Sequence, residues 1–325
     1  MRALRSEKAE GSMKNQQKSF ADDGWAIWVD GDDVSTVYLN DWLDPKGSSF
    51  VDVAIRICGV QATSSLNIFV PFPVTEEELT DTSLRLSDEQ ILRATFSAGC
   101  IVDYFKNECT SEVAYNGRTI DLVHISKFGF RMTPLAGGTL FFADLEKLRE
   151  YLANDEAYIL FRLPHKSLDA IFNAGWRLGR SRNLITSPVV SEKYGYSVRI
   201  NEARLLPTEI NRIGAFHRQK LKKAVITLSI RSDYEVSDRS CYRIRRLEED
   251  LYRSYVPEGF SCEDVITYQW NQTREYNLKG HFNFYFDIGK QSISRMSMIL
   301  YMVLLLMMGA GGNALWTLIQ FLLGM

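Results

Sequence analysis

Four histidines and five cysteines are the residues best able to carry acid–base, nucleophilic or metal chemistry in this 325-residue chain. His124, His165, His217 and His281 stand far apart, and no pair has HxxxH or HExxH spacing. A local histidine metal motif is therefore missing. Cys58, Cys100, Cys109, Cys241 and Cys262 are odd in number, widely spaced and without a CxxC. That pattern lacks the ligand pairs of a closed zinc site and suits reduced thiols better than a disulfide framework.

A nucleophile would need Cys100 or Cys109 within hydrogen-bond reach of His124 or His165. Nothing local supports that pairing, and no GxSxG elbow exists. Asp30, Asp32 and Asp33 could face a divalent cation, but an EF-hand loop needs glycine sixth and glutamate twelfth. Ser35 and Asp41 stand at those places, so Asp30–Gly31–Asp32–Asp33 is read as a hairpin turn. Gly137–Gly138 lacks any phosphate-loop context and is read as a turn too. These residues give no catalytic centre, no metal site and no cofactor as the expectation.

Charge is distributed unevenly. Residues 1–160 hold 15 Lys and Arg against 25 Asp and Glu, whereas the remaining residues hold 23 against 15. The basic half includes Arg218, Lys220, Lys222 and Lys223, then Arg243, Arg245 and Arg246, and later Lys290 and Arg295. Anionic headgroups attract such residues by about 1 kcal/mol each at a surface. A membrane-facing surface is the expected role, with nucleic acid the less favoured partner.

The strongest single feature lies at the end. From Met296 to Met325 there is no Asp, Glu, Lys or Arg. A spanning helix needs about 20 apolar residues. The apolar side chains Ile299, Leu300, Val303, Leu304, Leu305, Leu306, Leu315, Trp316, Ile319, Phe321, Leu322 and Leu323 are expected to contact lipid. Gly309, Gly311 and Gly312 open two alternatives. They could break the segment into a re-entrant hairpin, or let partner helices approach closely within one helix. Asn313, four residues after Gly309, would then supply a hydrogen bond in a homo-oligomer. Lys279, Lys290 and Arg295 precede the segment and no positive residue follows it. The positive-inside tendency puts the preceding part in the cytoplasm, a tail-anchored arrangement with no secretory signal at the start.

The elements that must hold any site are mostly strands. Trp25–Val29, Ser35–Leu39, Phe50–Cys58, Leu66–Val70, Thr119–Ile125, Thr139–Phe142, Ala157–Leu163, Tyr196–Leu206, Ala224–Ile230 and Val265–Trp270 are β-rich. In His281–Ile288 the apolar residues Phe282, Phe284, Phe286 and Ile288 alternate with polar ones, which predicts a half-buried strand. Helices are expected near Glu89–Lys106, Asp144–Ala153, Pro207–Lys223 and Tyr242–Tyr255. In the last, Arg245–Glu249, Arg246–Asp250 and Glu249–Arg253 would pair at i,i+4.

The mixture does not alternate βαβα, so an α+β fold with mostly antiparallel, β-rich sheets is expected, followed by a C-terminal transmembrane helix. The expected divisions are a disordered tail at 1–20, an acidic α+β domain at 21–170, a basic α+β domain at 171–290 and a membrane anchor at 291–325. Three functions fit: a membrane-tethered sensor or tether for a protein or small ligand, a membrane-disrupting effector that oligomerises through its tail, or a membrane-associated enzyme with a dispersed site.

Overall fold

The computed structural model describes residues 20–31, 34–45, 47–96, 101–103, 108–115, 117–173, 179–182, 189–213, 221–237, 240–273, 281–293 and 295–323. Residues 1–19 of the expected N-terminal tail, together with Asp32, Asp33, Cys100, His217, Arg218, Lys220 and Lys279, lie outside these residues, and Phe20, expected as the end of that tail, opens a strand instead.

The fold is α+β and built mainly from antiparallel strands. In chain order these begin with β1 (Phe20–Asp30), β2 (Val34–Leu43), β3 (Phe50–Cys58), β4 (Ser65–Val70), β5 (Thr80–Asp81) and β6 (Ile101–Asp103). They continue with β7 (Thr110–Tyr115), β8 (Arg118–Val123), β9 (Arg131–Leu135), β10 (Gly138–Asp144), β11 (Glu156–Pro164) and β12 (Gly179–Arg182). The last are β13 (Val189–Ile200), β14 (Lys223–Arg231), β15 (Tyr234–Ser237), β16 (Arg243–Arg246), β17 (Val265–Thr273) and β18 (Phe282–Ile293). The α-helices are α1 (Glu89–Phe96), α2 (Ile125–Phe128), α3 (Leu145–Leu148), α4 (Lys166–Asn173), α5 (Thr208–Ile213), α6 (Glu249–Tyr252) and α7 (Arg295–Leu323).

Two sheets face each other. The eight-stranded sheet runs β15-β18-β13-β1-β4-β10-β9, with β12 beside β13. The ten-stranded sheet runs β16-β17-β14-β2-β3-β11-β8-β7-β6, with β5 beside β11. Each sheet takes strands from both sides of residue 170. The join is parallel in both: β1 pairs with β13, and β2 with β14. One apolar interior fills the space between the sheets, including Trp25, Ile27, Val53, Ile55, Phe161, Ile226, Phe282 and Phe286.

Alternation explains why these strands sit where they do. Phe282, Phe284, Phe286 and Ile288 of β18 point into that interior, whereas Tyr285 is 49% exposed. Burying each such side chain is worth about 1.5–3 kcal/mol. A one-residue slip would turn the whole set outward, so the register is tightly held.

Each sheet also carries a cover on its outer face. Ala26, Trp28 and Phe69 of the eight-stranded sheet pack under Leu206 and Ile210. Trp42, Phe50, Ala54, Tyr158 and Leu160 of the ten-stranded sheet pack under Leu86, Ile91 and Leu92 from one side and Leu247, Tyr252, Tyr255 and Val256 from the other.

Several local expectations are corrected. Asp30–Gly31 does not lead a hairpin, because β1 and β2 belong to different sheets and the chain arches between layers. Gly31 has φ +136°, and a Cβ there would meet the Ala62 carbonyl oxygen at 2.6 Å. The strand expected to reach Leu206 stops at Ile200. Asn201, in the left-handed region at φ 60°, takes over its pairing. Its side chain accepts from the Ile27 amide at 2.8 Å and donates to the Ile27 carbonyl at 3.1 Å.

The helix expected over Tyr242–Tyr255 shrinks to α6. Arg243–Arg246 is instead an edge strand, because pairing with β17 satisfies its backbone. The Arg245–Glu249 and Arg246–Asp250 pairs are therefore replaced, with Arg246 bonding Asp264 at 2.6 Å. The Glu249–Arg253 pair remains, at 2.9 Å. Likewise α1 ends at Phe96 and Lys223 opens β14, both shorter helices than the spacing predicts.

After the sheets, α7 runs unbroken for 29 residues through the glycine cluster, so the hairpin alternative is not adopted. Met298–Leu323 has a mean hydropathy of 1.8 and is long and apolar enough to cross a membrane. Its apolar residues stand outside the sandwich: Leu306 is 70% exposed, Phe321 81% and Leu322 72%.

Candidate functional site

The covered outer face of the ten-stranded sheet holds a cavity of about 400 Å³. Its floor comes from strand register. One row across the sheet places Gln269 of β17 opposite Thr227 of β14, then Asn40 of β2, Asp52 of β3 and Arg162 of β11. The next row places Thr267, Ser229, Trp42 and Phe50 side by side. A covered sheet face normally carries apolar residues, as the opposite face of these strands does. Here Asn40, Thr227 and Gln269 interrupt it. Among the described residues their side chains make no hydrogen bond, although each is only partly exposed.

The cover is held by Asp52 and Arg162. The Arg162 Nε donates to Asp52 Oδ1 at 2.6 Å and its Nη2 to Oδ2 at 3.0 Å. Asp52 Oδ2 also accepts from the Tyr255 hydroxyl at 2.9 Å and from Trp42 Nε1 at 3.0 Å. Arg162 Nη1 reaches the Tyr255 carbonyl at 3.0 Å, and its guanidinium lies 4.1 Å from the Phe50 ring centre. Burial pulls the Arg162 pKa down, but the charge and hydrogen bonds of Asp52 outweigh it and raise the net value. Both Asp52 oxygens are committed to these donors.

Arg85 fastens the same cover from its other side. Its Nη1 donates to the carbonyls of Ser254 at 3.0 Å, Val256 at 3.3 Å and Tyr255. Burial and then the nearby Arg162 charge lower its pKa. Tyr255 and Tyr158 have raised pKa values, chiefly through burial, so both hydroxyls stay neutral.

Lys223, Arg56 and Arg245 also line the cavity. Arg56 pairs with Glu156, its Nε donating to Oε2 at 3.0 Å. Arg245 donates to the Tyr252 hydroxyl at 3.2 Å. Among the described residues neither Lys223 nor Arg245 makes an ion pair. Among the described residues no histidine or cysteine lines the cavity.

The histidines occupy other places. His124 is buried, with Ser83 Oγ 2.8 Å from Nδ1 and Ser111 Oγ 2.7 Å from Nε2; Ser83 Oγ also donates to Asp81 at 2.5 Å. This chain ties the segment at Ser83 to β7. Desolvation lowers the His124 pKa. The His124 amide donates to the Cys109 carbonyl at 2.8 Å. His165 is wholly buried between the sheets, and its Nε2 donates to the Tyr196 hydroxyl at 2.9 Å. That hydroxyl donates to Asp41 Oδ2 at 3.1 Å. Asp41 Oδ1 lies 3.4 Å and Asp23 Oδ2 3.6 Å from the same Nε2. Among the described residues no group of three or more His, Cys, Asp or Glu could hold a metal ion.

The basic residues singled out by sequence are spread out. Arg243, Arg245 and Arg246 lie along the exposed edge strand β16. Charged side chains there discourage edge pairing with other chains. Lys222 and Lys223 stand where β14 begins. Lys290 of β18 bonds Asp233 at 3.0 Å and sits 4.4 Å from the Tyr234 ring centre. Arg295 opens α7. Among the described residues of this set, Lys223 and Arg245 line the cavity. Asn40, Thr227 and Gln269 were not legible as a set, because strand register alone brings them together. The one available signal was polar residues inside strands otherwise rich in Val, Ile and Leu.

No family model and no curated protein matches the chain. Among solved structures it is similar to the Fcho1 Mu homology domain of Danio rerio with bound Eps15 peptide. The match has 9% identity and a TM-score of 0.10, over 85% of this chain and 81% of that one. Nothing about this chain follows from a score so low.

Proposed function

We propose that this protein is a membrane-anchored binding module. In this reading α7 crosses the bilayer once, the β-sandwich stands in the cytoplasm, and the covered cavity takes a small molecule. The observation that carries it is the row of Asn40, Thr227 and Gln269, polar side chains that make no hydrogen bond among the described residues, beneath an aromatic cover. Polar groups in a covered site cost free energy unless they are hydrogen-bonded, and a ligand or water supplies the missing partners. The 29-residue helix, uncharged after its first residue, supports the anchor, and Lys290 before it and Arg295 at its start support the orientation.

The test is native mass spectrometry of the full chain purified in mild detergent, compared with Thr227→Phe, which fills the cavity. The reading expects a small molecule released from the wild type and lost from the variant. Identical release from both, or none from the wild type, overturns it.

The second reading, an effector whose tail oligomerises, draws on the glycines of α7. A Cβ added at Gly309, Gly311 or Gly312 meets no atom within 4 Å, which leaves room for a second helix. It expects dye release from liposomes by the full chain and a loss of release with Gly309→Leu. Liposomes that stay sealed with both proteins remove it.

A further inference from the structure

We infer that the ligand of this cavity is an anionic, ring-bearing small molecule, with its acidic group between Lys223 and Arg56 and its ring over Tyr38. This rests on the reading of the cavity as a ligand site.

Charge gives the first half of the inference. Among the described residues three cations line the cavity, Arg56, Lys223 and Arg245, against the one carboxylate of Asp52. Asp52 is consumed by Arg162, Tyr255 and Trp42, so it offers nothing to a ligand. Glu156 takes the Nε and Nη2 of Arg56, which leaves the Nη1 of Arg56, Lys223 and Arg245 without a carboxylate among the described residues. A half-enclosed site with that surplus favours an anion over a neutral or cationic occupant.

Register gives the second half. Lys223 pairs with Thr36, and Thr36 with Arg56. The two cations therefore stand two strands apart in one row, about 10 Å at the usual strand spacing. A phosphate or carboxylate fits between side chains reaching in from both. One row further in, Tyr38 is half-buried, with the Tyr158 ring centre 6.2 Å away. These rings offer a stacking surface. Beyond them, Asn40, Thr227 and Gln269 present amides and hydroxyls to the polar edge of a ring or to a sugar. A nucleoside 5′-monophosphate is a common molecule with this layout.

The test is isothermal titration calorimetry on the full chain in detergent. The probes are AMP, GMP, CMP and UMP, their four parent nucleosides, and ribose 5-phosphate. At least one nucleotide is expected to bind ten-fold or more tightly than both its nucleoside and ribose 5-phosphate. Lys223→Gln is expected to erase the advantage over the nucleoside while leaving the thermal midpoint of the free protein unchanged. Nucleosides binding as tightly as nucleotides, or no nucleotide binding, overturns the inference. A neutral molecule released by the wild type and lost from Thr227→Phe would keep the cavity as a ligand site and sink only its assignment to an anion.

Discussion

Asp52 and Arg162 face each other directly on neighbouring strands β3 and β11, and two hydrogen bonds of 2.6 and 3.0 Å join them where neither is more than 4% exposed. Removing one partner of such a pair strands a buried charge. Asp52→Ala is expected to cost about 3–5 kcal/mol, read as a fall in the urea midpoint. Replacing both, as Asp52→Leu with Arg162→Met, is expected to restore most of that loss. A single variant within about 1 kcal/mol of wild type would show that the pair does not hold the cover.

Arg85 acts on the cover alone. Its bonds to three successive carbonyls are charge-assisted, each worth about 1.5–3 kcal/mol at most. Arg85→Met is expected to speed amide exchange across residues 252–256 while strands β1 and β13 keep wild-type protection. Equal acceleration in both places would mean that the residue supports the whole fold.

His165 makes stability depend on pH. Burial pushes its pKa down, but the hydrogen bond and charge of Asp41, then the charges of Asp23 and Asp169, bring the net value above the ordinary 6.5. The folded state thus binds the imidazolium proton more tightly than the unfolded chain does. Its contribution is complete below about pH 6.5 and is lost as pH rises through the raised folded value. The thermal midpoint of the wild type is expected to fall across that window, and that of His165→Gln to change less. A parallel fall in both would assign the dependence to other groups.

The apolar helix predicts how the protein partitions. The full chain is expected to float with membranes through a sucrose gradient and to resist carbonate extraction, and a chain cut before Arg295 is expected to stay in the soluble fraction. Recovery of the full chain in the supernatant without detergent would contradict the anchor.

Periodicity made much of this fold legible. The alternation in Phe282–Ile288 located β18 and its inward face. The uncharged run after Arg295 located α7, since a helix in lipid needs nothing but its own residues. Pairing partners were not legible. The Arg243–Arg246 segment has helical charge spacing, and only contact with β17 makes it a strand. Asp30–Gly31 has turn chemistry, but whether a turn pairs its strands or sends them to different layers is decided by the whole core. The cavity failed for the same reason. Asn40, Thr227 and Gln269 are separated by up to 229 positions in the chain, and no local pattern links residues that meet only through register.

The proposed function requires that the covered face of the ten-stranded sheet be an occupied site. The most direct measurement is an experimental density map of the full chain, purified in mild detergent without any stripping step. A bound molecule is expected within hydrogen-bond distance of Asn40, Thr227 and Gln269. A map in which Tyr252 and Tyr255 close down and fill that space themselves would contradict it.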